Sequence, residues 1–227
     1  MESTLESNPS KRQKIIRRTS IGIALLAVMH ISAIYEGNRV RVYVTKPVTM
    51  LAIMLVATML IEADGAEHAR RYGHLILAGL TCSLVGDVFL MLPSQQFVAG
   101  LASFLVAHLF YITGFRTGLR GVGSLWLALP FYAFGALALW LLLPGLGVMK
   151  LPVLIYLVVI LTMAWQALYR WRTDGERRSL YAFSGAILFV ASDSLIAFNR
   201  FRSPFRLAEG LIMGAYFCAQ WLIALSV

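Results

Sequence analysis

Two aspartates stand inside long apolar stretches of this 227-residue chain, Asp87 within 75–92 and Asp193 within 185–198. A carboxylate at the centre of a bilayer-spanning helix costs roughly 3 kcal/mol to insert. A lipid-facing Asp brings nothing to offset that, so both are expected to face the interior of a helical bundle. Two carboxyls facing one interior can hold and accept protons, which points to acid–base chemistry or proton movement.

Other polar residues lie at compatible depths. Lys46, followed by Pro47, opens the second apolar stretch. It is either a snorkelling lysine that marks a helix end or a cation for an aspartate or a lipid phosphate. His108 and Tyr111 stand i,i+3 on one face of the fourth stretch, and Tyr216 and Gln220 stand i,i+4 on one face of the last. Each pair fits a polar pocket wall, and each also fits interhelical hydrogen bonding. Ser192 adjoins Asp193. Asn199 ends the seventh stretch, where it is a binding residue or a helix cap. Ser83, Gly79 and Gly86 lie near Asp87, where small side chains let helices approach closely. The chain has no Gly-x-Ser-x-Gly elbow, His-Glu-x-x-His motif, P-loop or dinucleotide fingerprint. Cys82 and Cys218 have no metal-binding spacing and read as small apolar fillers. No metal and no other cofactor is expected.

The elements that must position these groups are membrane spans. Hydrophobic residues make up 59% of the chain and charged residues only 14%, against about 25% charged in a soluble domain. Apolar segments can be drawn at 19–35, 45–61, 74–92, 97–115, 124–143, 151–170, 180–198 and 207–226. Several reach the ~20 residues that cross a bilayer. They must be helices, because a lone segment in lipid can satisfy its own backbone only that way. The breaks between them carry Glu36-Gly37-Asn38-Arg39, Glu62-Ala63-Asp64-Gly65, Pro93-Ser94-Gln95-Gln96 and Pro144-Gly145. The expected fold is all-α, a polytopic bundle of about eight spans. Residues 1–18 form a basic N-terminal segment and 19–227 a single membrane domain. The basic run before 21–34 resembles a signal peptide, but His30 and Ser32 interrupt it and no clear cleavage site follows, so a retained first span is expected.

The net charge is +9. In a membrane protein that excess belongs to cytoplasmic loops, and no nucleic-acid motif accompanies it, so no nucleic-acid partner is expected. With the N-terminus inside, Lys and Arg divide 13 inside to 7 outside, which places both termini in the cytoplasm. Arg200, Arg202 and Arg206 run against that bias.

Five stretches together resemble the YhhN/lysoplasmalogenase family. They are Lys46-Pro47; Ser83-Leu84-Val85-Gly86-Asp87-Val88-Phe89-Leu90; Val106-Ala107-His108-Leu109-Phe110-Tyr111; the run from Gly185 through Ser192-Asp193 to Ala197; and Tyr216-Phe217-Cys218-Ala219-Gln220-Trp221-Leu222-Ile223. The likeness runs from about residue 45 to the C-terminus in the right order, and the first 18 residues lie outside it. The resemblance implies a multi-pass membrane hydrolase that cleaves the vinyl ether of a lysoplasmalogen to a fatty aldehyde and a glycerophospho-ethanolamine or -choline. It maps the family's catalytic pair onto Asp87 and Asp193. Its partners are a lysophospholipid substrate and the bilayer, and the family's many bacterial members suggest a bacterial inner membrane.

That chemistry suits the residues. Vinyl ether hydrolysis protonates the β-carbon, forms an oxocarbenium ion, adds water and collapses a hemiacetal. It needs one carboxyl that delivers a proton and one that accepts a proton from water and stabilises positive charge. Lys46 is then expected at the lipid phosphate, with Arg200 and Arg202 as the next candidates. His108, Tyr111, Ser192, Asn199, Tyr216 and Gln220 are expected around the substrate. A proton-coupled transporter is the alternative, since intramembrane Asp, His and Lys also build proton relays. Against it, the spans lack matched mid-helix Gly/Pro breaks. An intramembrane aspartyl protease rests only on the short Gly86-Asp87 match.

Overall fold

The computed structural model describes residues 9–62, 66–92, 96–121 and 123–227. The sequence breaks at 63–65 and 93–95 lie outside them, as does the start of the basic N-terminal segment. Eight α-helices follow one another: α1 (Pro9–Tyr35), α2 (Arg39–Ile61), α3 (Glu67–Met91), α4 (Phe97–Phe115), α5 (Leu129–Leu142), α6 (Lys150–Asp174), α7 (Arg177–Phe201) and α8 (Ala208–Leu225). Short 3₁₀ turns precede and follow α5. No strand occurs among the described residues. Eight stretches are long and apolar enough to cross a membrane, the fifth being α5 with its flanking turns. The all-α, eight-span reading therefore holds. The basic residues from Pro9 onward are not separate from the first span, because α1 is continuous through them.

Six helices close on themselves. α2 packs on α3, α3 on α4, α4 on α6, α6 on α7, α7 on α8, and α8 back on α2. α1 lies outside this ring against α2 and α8, and α5 lies outside against α6. The ring is filled by Met50, Ile53, Ile76, Leu80, Phe115, Met163, Phe189, Phe217 and Ile223, all essentially inaccessible. In lipid such packing acts through close van der Waals fit rather than escape from water. Gly185 shows how close that fit is. A Cβ there would lie 2.8 Å from the Ala219 carbonyl oxygen, so only glycine lets α7 meet α8 at this point.

Two boundaries differ from the sequence expectation, and both bear on the site. α2 begins at Arg39, not at 45. The Asn38 side chain accepts from the Arg41 amide and caps the helix, while Arg41 pairs with Glu36 at 2.9 Å. Lys46 therefore lies two turns inside α2 instead of opening it. α7 continues to Phe201, with the Arg200 guanidinium 4.0 Å from the Phe97 ring centre. Asp87 is four residues from the end of α3 and Asp193 eight from the end of α7. Their depths are thus about 6 and about 12 Å from the same end of the bundle.

Candidate active site

Each of the six ring helices sends at least one polar side chain into the interior. Around Asp87 on α3 the groups form a directed chain. Tyr111 Oη donates to Gln220 Oε1 at 2.8 Å, Gln220 Nε2 donates to Tyr216 Oη at 3.2 Å, and Tyr216 Oη donates to Asp87 Oδ2 at 2.6 Å. Every donor points toward the carboxyl, so each bond polarises the next. Lys46 Nζ approaches the other oxygen, Oδ1, at 2.9 Å. The Lys46 and Asp87 side chains are only 10% and 1% exposed, so this is a desolvated pair and not a surface bridge.

Local features place each member. His30 Nδ1 meets Thr45 Oγ1 at 2.9 Å, which ties α1 to the turn of α2 that carries Lys46. Gly79 seats Tyr111, since a Cβ there would stand 2.2 Å from Tyr111 Cε1. Ser83, buried one turn before Asp87, lies 3.5 Å from the Tyr111 hydroxyl, at the outer limit of a hydrogen bond.

Around Asp193 the arrangement is different. Tyr156 Oη on α6 donates to Asp193 Oδ2, and His108 Nε2 on α4 lies 2.9 Å from that same hydroxyl. A phenol has one proton, and this one is directed at the carboxyl. His108 Nε2 is then the donor to the phenol oxygen. His108 is fully buried, and Nδ1 has no hydrogen-bond partner. His108 Nε2 is also 3.9 Å from Asp193 Oδ2. The Asp193 side chain is 16% exposed, and its second oxygen, Oδ1, accepts no hydrogen bond from the described residues.

No hydrogen bond joins the two carboxyls among the described residues. The two groups adjoin where the His108 and Tyr111 rings stand 6.3 Å apart, and an aromatic wall lines both. Phe189 stands edge-on to His108 at 4.7 Å and to Tyr216 at 5.6 Å, and Phe104 stands edge-on to both Phe189 and Tyr216. The site is thus two adjoining polar clusters beside one apolar wall. One holds a carboxyl with an ammonium, the other a carboxyl with a phenol and an imidazole.

Of the residues singled out in the sequence, Lys46, Asp87, Tyr111, Tyr216 and Gln220 meet in the first cluster, and His108 and Asp193 in the second. Ser192 does not join them. It is fully buried and donates to the Ile212 carbonyl at 3.0 Å, which fastens α7 to α8. Asn199 accepts from the Phe205 amide at 3.1 Å and holds the turn after α7, whose C-cap is Arg202. For Lys46 the pairing alternative applies, because its ammonium is committed to Asp87. Tyr156 was missed. Its signal was one hydroxyl in the otherwise apolar run 151–161. Among the described residues no three His, Cys, Asp or Glu gather as metal ligands would.

A model of the YhhN family matches residues 42–227, a span that contains all five motifs. An uncharacterized membrane protein YhhN of Escherichia coli is 29% identical, over 91% of this chain and 97% of its own length. Lysoplasmalogenase TMEM86B of Sus scrofa is 37% identical, over 80% of this chain and 72% of its own length. Lysoplasmalogenase TMEM86A of Homo sapiens is 39% identical, over 66% of this chain and 64% of its own length. No solved structure matches.

Proposed function

The chain belongs to the YhhN family, and from that membership we propose that it is an intramembrane hydrolase of the vinyl ether of lysoplasmalogen, or of a related ether lysolipid, with Asp87 and Asp193 as its catalytic pair. The observation that carries this reading is the unequal surrounding of the two carboxyls inside one ring of helices. Relatives named lysoplasmalogenases, at 37% and 39% identity, support the substrate class.

The roles follow from that inequality. Asp193 is the proton donor. Tyr156 occupies Oδ2 and leaves Oδ1 free to carry a proton to the β-carbon of the vinyl ether. Asp87, held by Lys46 and Tyr216, is the standing carboxylate. It stabilises the oxocarbenium ion and takes the proton of the attacking water. The hemiacetal then collapses to the fatty aldehyde and the glycerophospho-ethanolamine or -choline. Tyr156 and Tyr216 are positioning residues: Tyr156 fixes Asp193 Oδ2 so that Oδ1 faces the reaction, while Tyr216 and Lys46 between them hold both oxygens of Asp87. His108 fixes Tyr156 in turn.

The test is aldehyde release by purified protein in detergent from a 1-alkenyl lysophospholipid. Release in a single compartment is expected. A proton-coupled carrier could use the same buried groups, but it would need two compartments and would release no aldehyde. Absence of release from well-folded protein overturns the hydrolase reading.

A further inference from the structure

Lys46 is occupied by Asp87, so a lipid phosphate needs another partner, and the end of the bundle nearest the pair offers one. A cavity of about 340 Å³ opens there between α1, α2, α3 and α8, lined in part by Arg39, Val42, Tyr43, Leu90, Met91 and Glu209. Val42 and Tyr43 lie one turn before Lys46, and Leu90 and Met91 one turn after Asp87. Residues so spaced share a helix face, so the cavity stands one turn above the ion pair. A second cavity of about 540 Å³ adjoins it, sharing Ile34 and Glu209 and adding Tyr35, Asn199 and Arg206.

The charges at this mouth are unspent. Arg39, Arg206 and Glu209 are exposed, and none has an ion-pair or hydrogen-bond partner among the described residues. Glu209 stands on the wall common to both cavities, with Arg39 in one and Arg206 in the other. Tyr35 packs over Gly210, where a Cβ would be 2.6 Å from its hydroxyl, so an aromatic ring is held beside Glu209.

We infer that this vestibule is the head-group subsite for a zwitterionic lysophospholipid, with the phosphate on Arg39 and the ammonium on Glu209 beside Tyr35. Arg presents a planar fork that fits a phosphate in two places. A carboxylate with an aromatic face is a fitting pair for a primary or quaternary ammonium. Arg206 adds a second positive charge at the mouth. Arg39 begins α2 two turns, about 10 Å, from Lys46. The glycerol backbone between a lysolipid's phosphate and its ether oxygen spans roughly one helical turn, 5.4 Å, so a phosphate at Arg39 sets the ether in the cavity, on the side of the ion pair that faces the mouth. The placement of the scissile bond, and nothing else in this inference, rests on the hydrolase reading.

Two measurements test it. In the first, a non-hydrolysable 1-O-alkyl lysophosphocholine and a 1-O-alkylglycerol are compared as ligands by thermal shift in detergent. Arg39→Gln should weaken the preference for the phosphate-bearing ligand by about fivefold, the factor one charged contact supplies at an exposed site. Glu209→Gln should weaken the preference for lysophosphocholine over the corresponding lysophosphatidic acid by a similar factor. In the second, the same preferences are read as KM ratios among 1-alkenyl substrates. Variants that shift all ligands equally, or shift none, overturn the subsite. Because binding is read without turnover, a wild-type protein that releases no aldehyde retires the hydrolase reading and leaves the subsite to the binding result.

Discussion

Lys46 Nζ and Asp87 Oδ1 stand 2.9 Å apart with both side chains at least nine-tenths buried. The lysine is therefore part of the carboxylate's environment. Lys46→Ala is expected to lower turnover on a phosphate-bearing vinyl ether and on a phosphate-free one of the same chain length by equal factors. Steady-state kinetics on the two substrates check this. A loss confined to the phosphate-bearing substrate would return Lys46 to the head-group role.

Asp87→Asn and Asp193→Asn should each reduce aldehyde release by about 100- to 10,000-fold, but their effects on stability should differ. Asp87→Asn leaves a buried ammonium without its counter-charge, which costs about 3–5 kcal/mol in comparable buried pairs. Asp193 has no such ammonium, so its variant should unfold near the wild-type temperature. Thermal unfolding in detergent, run beside the turnover assay, separates the two. Lys46→Met combined with Asp87→Asn should recover stability and remain inactive.

Tyr156→Phe removes the donor at Asp193 Oδ2 and keeps the ring. It should lower kcat by about 10- to 100-fold and leave KM near the wild-type value, because Tyr156 orients a carboxyl and holds no lipid. A rise in KM with unchanged kcat would make it a wall of the lipid channel instead.

The helix contacts predict a graded series. Gly185→Ala sets a Cβ against the Ala219 carbonyl, a backbone atom that cannot turn aside, and should cost about 1–3 kcal/mol. Gly79→Ala displaces the Tyr111 ring, so it should also lower turnover by loosening Tyr111 from Gln220. Gly214→Ala meets nothing closer than 3.9 Å and should be neutral. Unfolding temperatures and specific activity of the three variants check the order.

Exhaustive chelation should leave turnover unchanged, since the described residues offer no cluster of metal ligands. Loss of activity in EDTA with recovery on adding a divalent ion would contradict this.

The number of spans and the inward-facing carboxyls were legible because burying charge in lipid is so unfavourable that few sequences permit it. The helix-face pairs were legible for another reason: Tyr216 and Gln220 are hydrogen-bonded to each other across one turn, as their spacing implies. Three things were not legible. The start of α2 was hidden because Arg39 and Arg41 look like loop residues, and their place in a helix depends on a cap from Asn38. Tyr156 was hidden because its partners, His108 and Asp193, lie 48 and 37 residues away. Ser192 was misleading for a geometric reason. Adjacent residues on a helix point about 100° apart, so a serine beside a buried aspartate faces a different neighbour.

The order of the chain itself matters to how this site comes into being. Lys46 and Asp87 sit on α2 and α3, and Tyr156 and Asp193 on α6 and α7, so each carboxyl finds a partner on the helix made just before it. During synthesis, neither aspartate has to wait in lipid for a distant segment. The ammonium or the phenol is already there, so the α2–α3 pair can insert charge-neutralised and the α6–α7 pair with its carboxyl hydrogen-bonded. α8, made after the other seven, carries Tyr216 and Gln220 and completes the ring against α2. A ribosome that stopped before α8 would leave both carboxyls partnered and the directed hydrogen-bond chain unmade, so the site matures only once α8 has joined the ring.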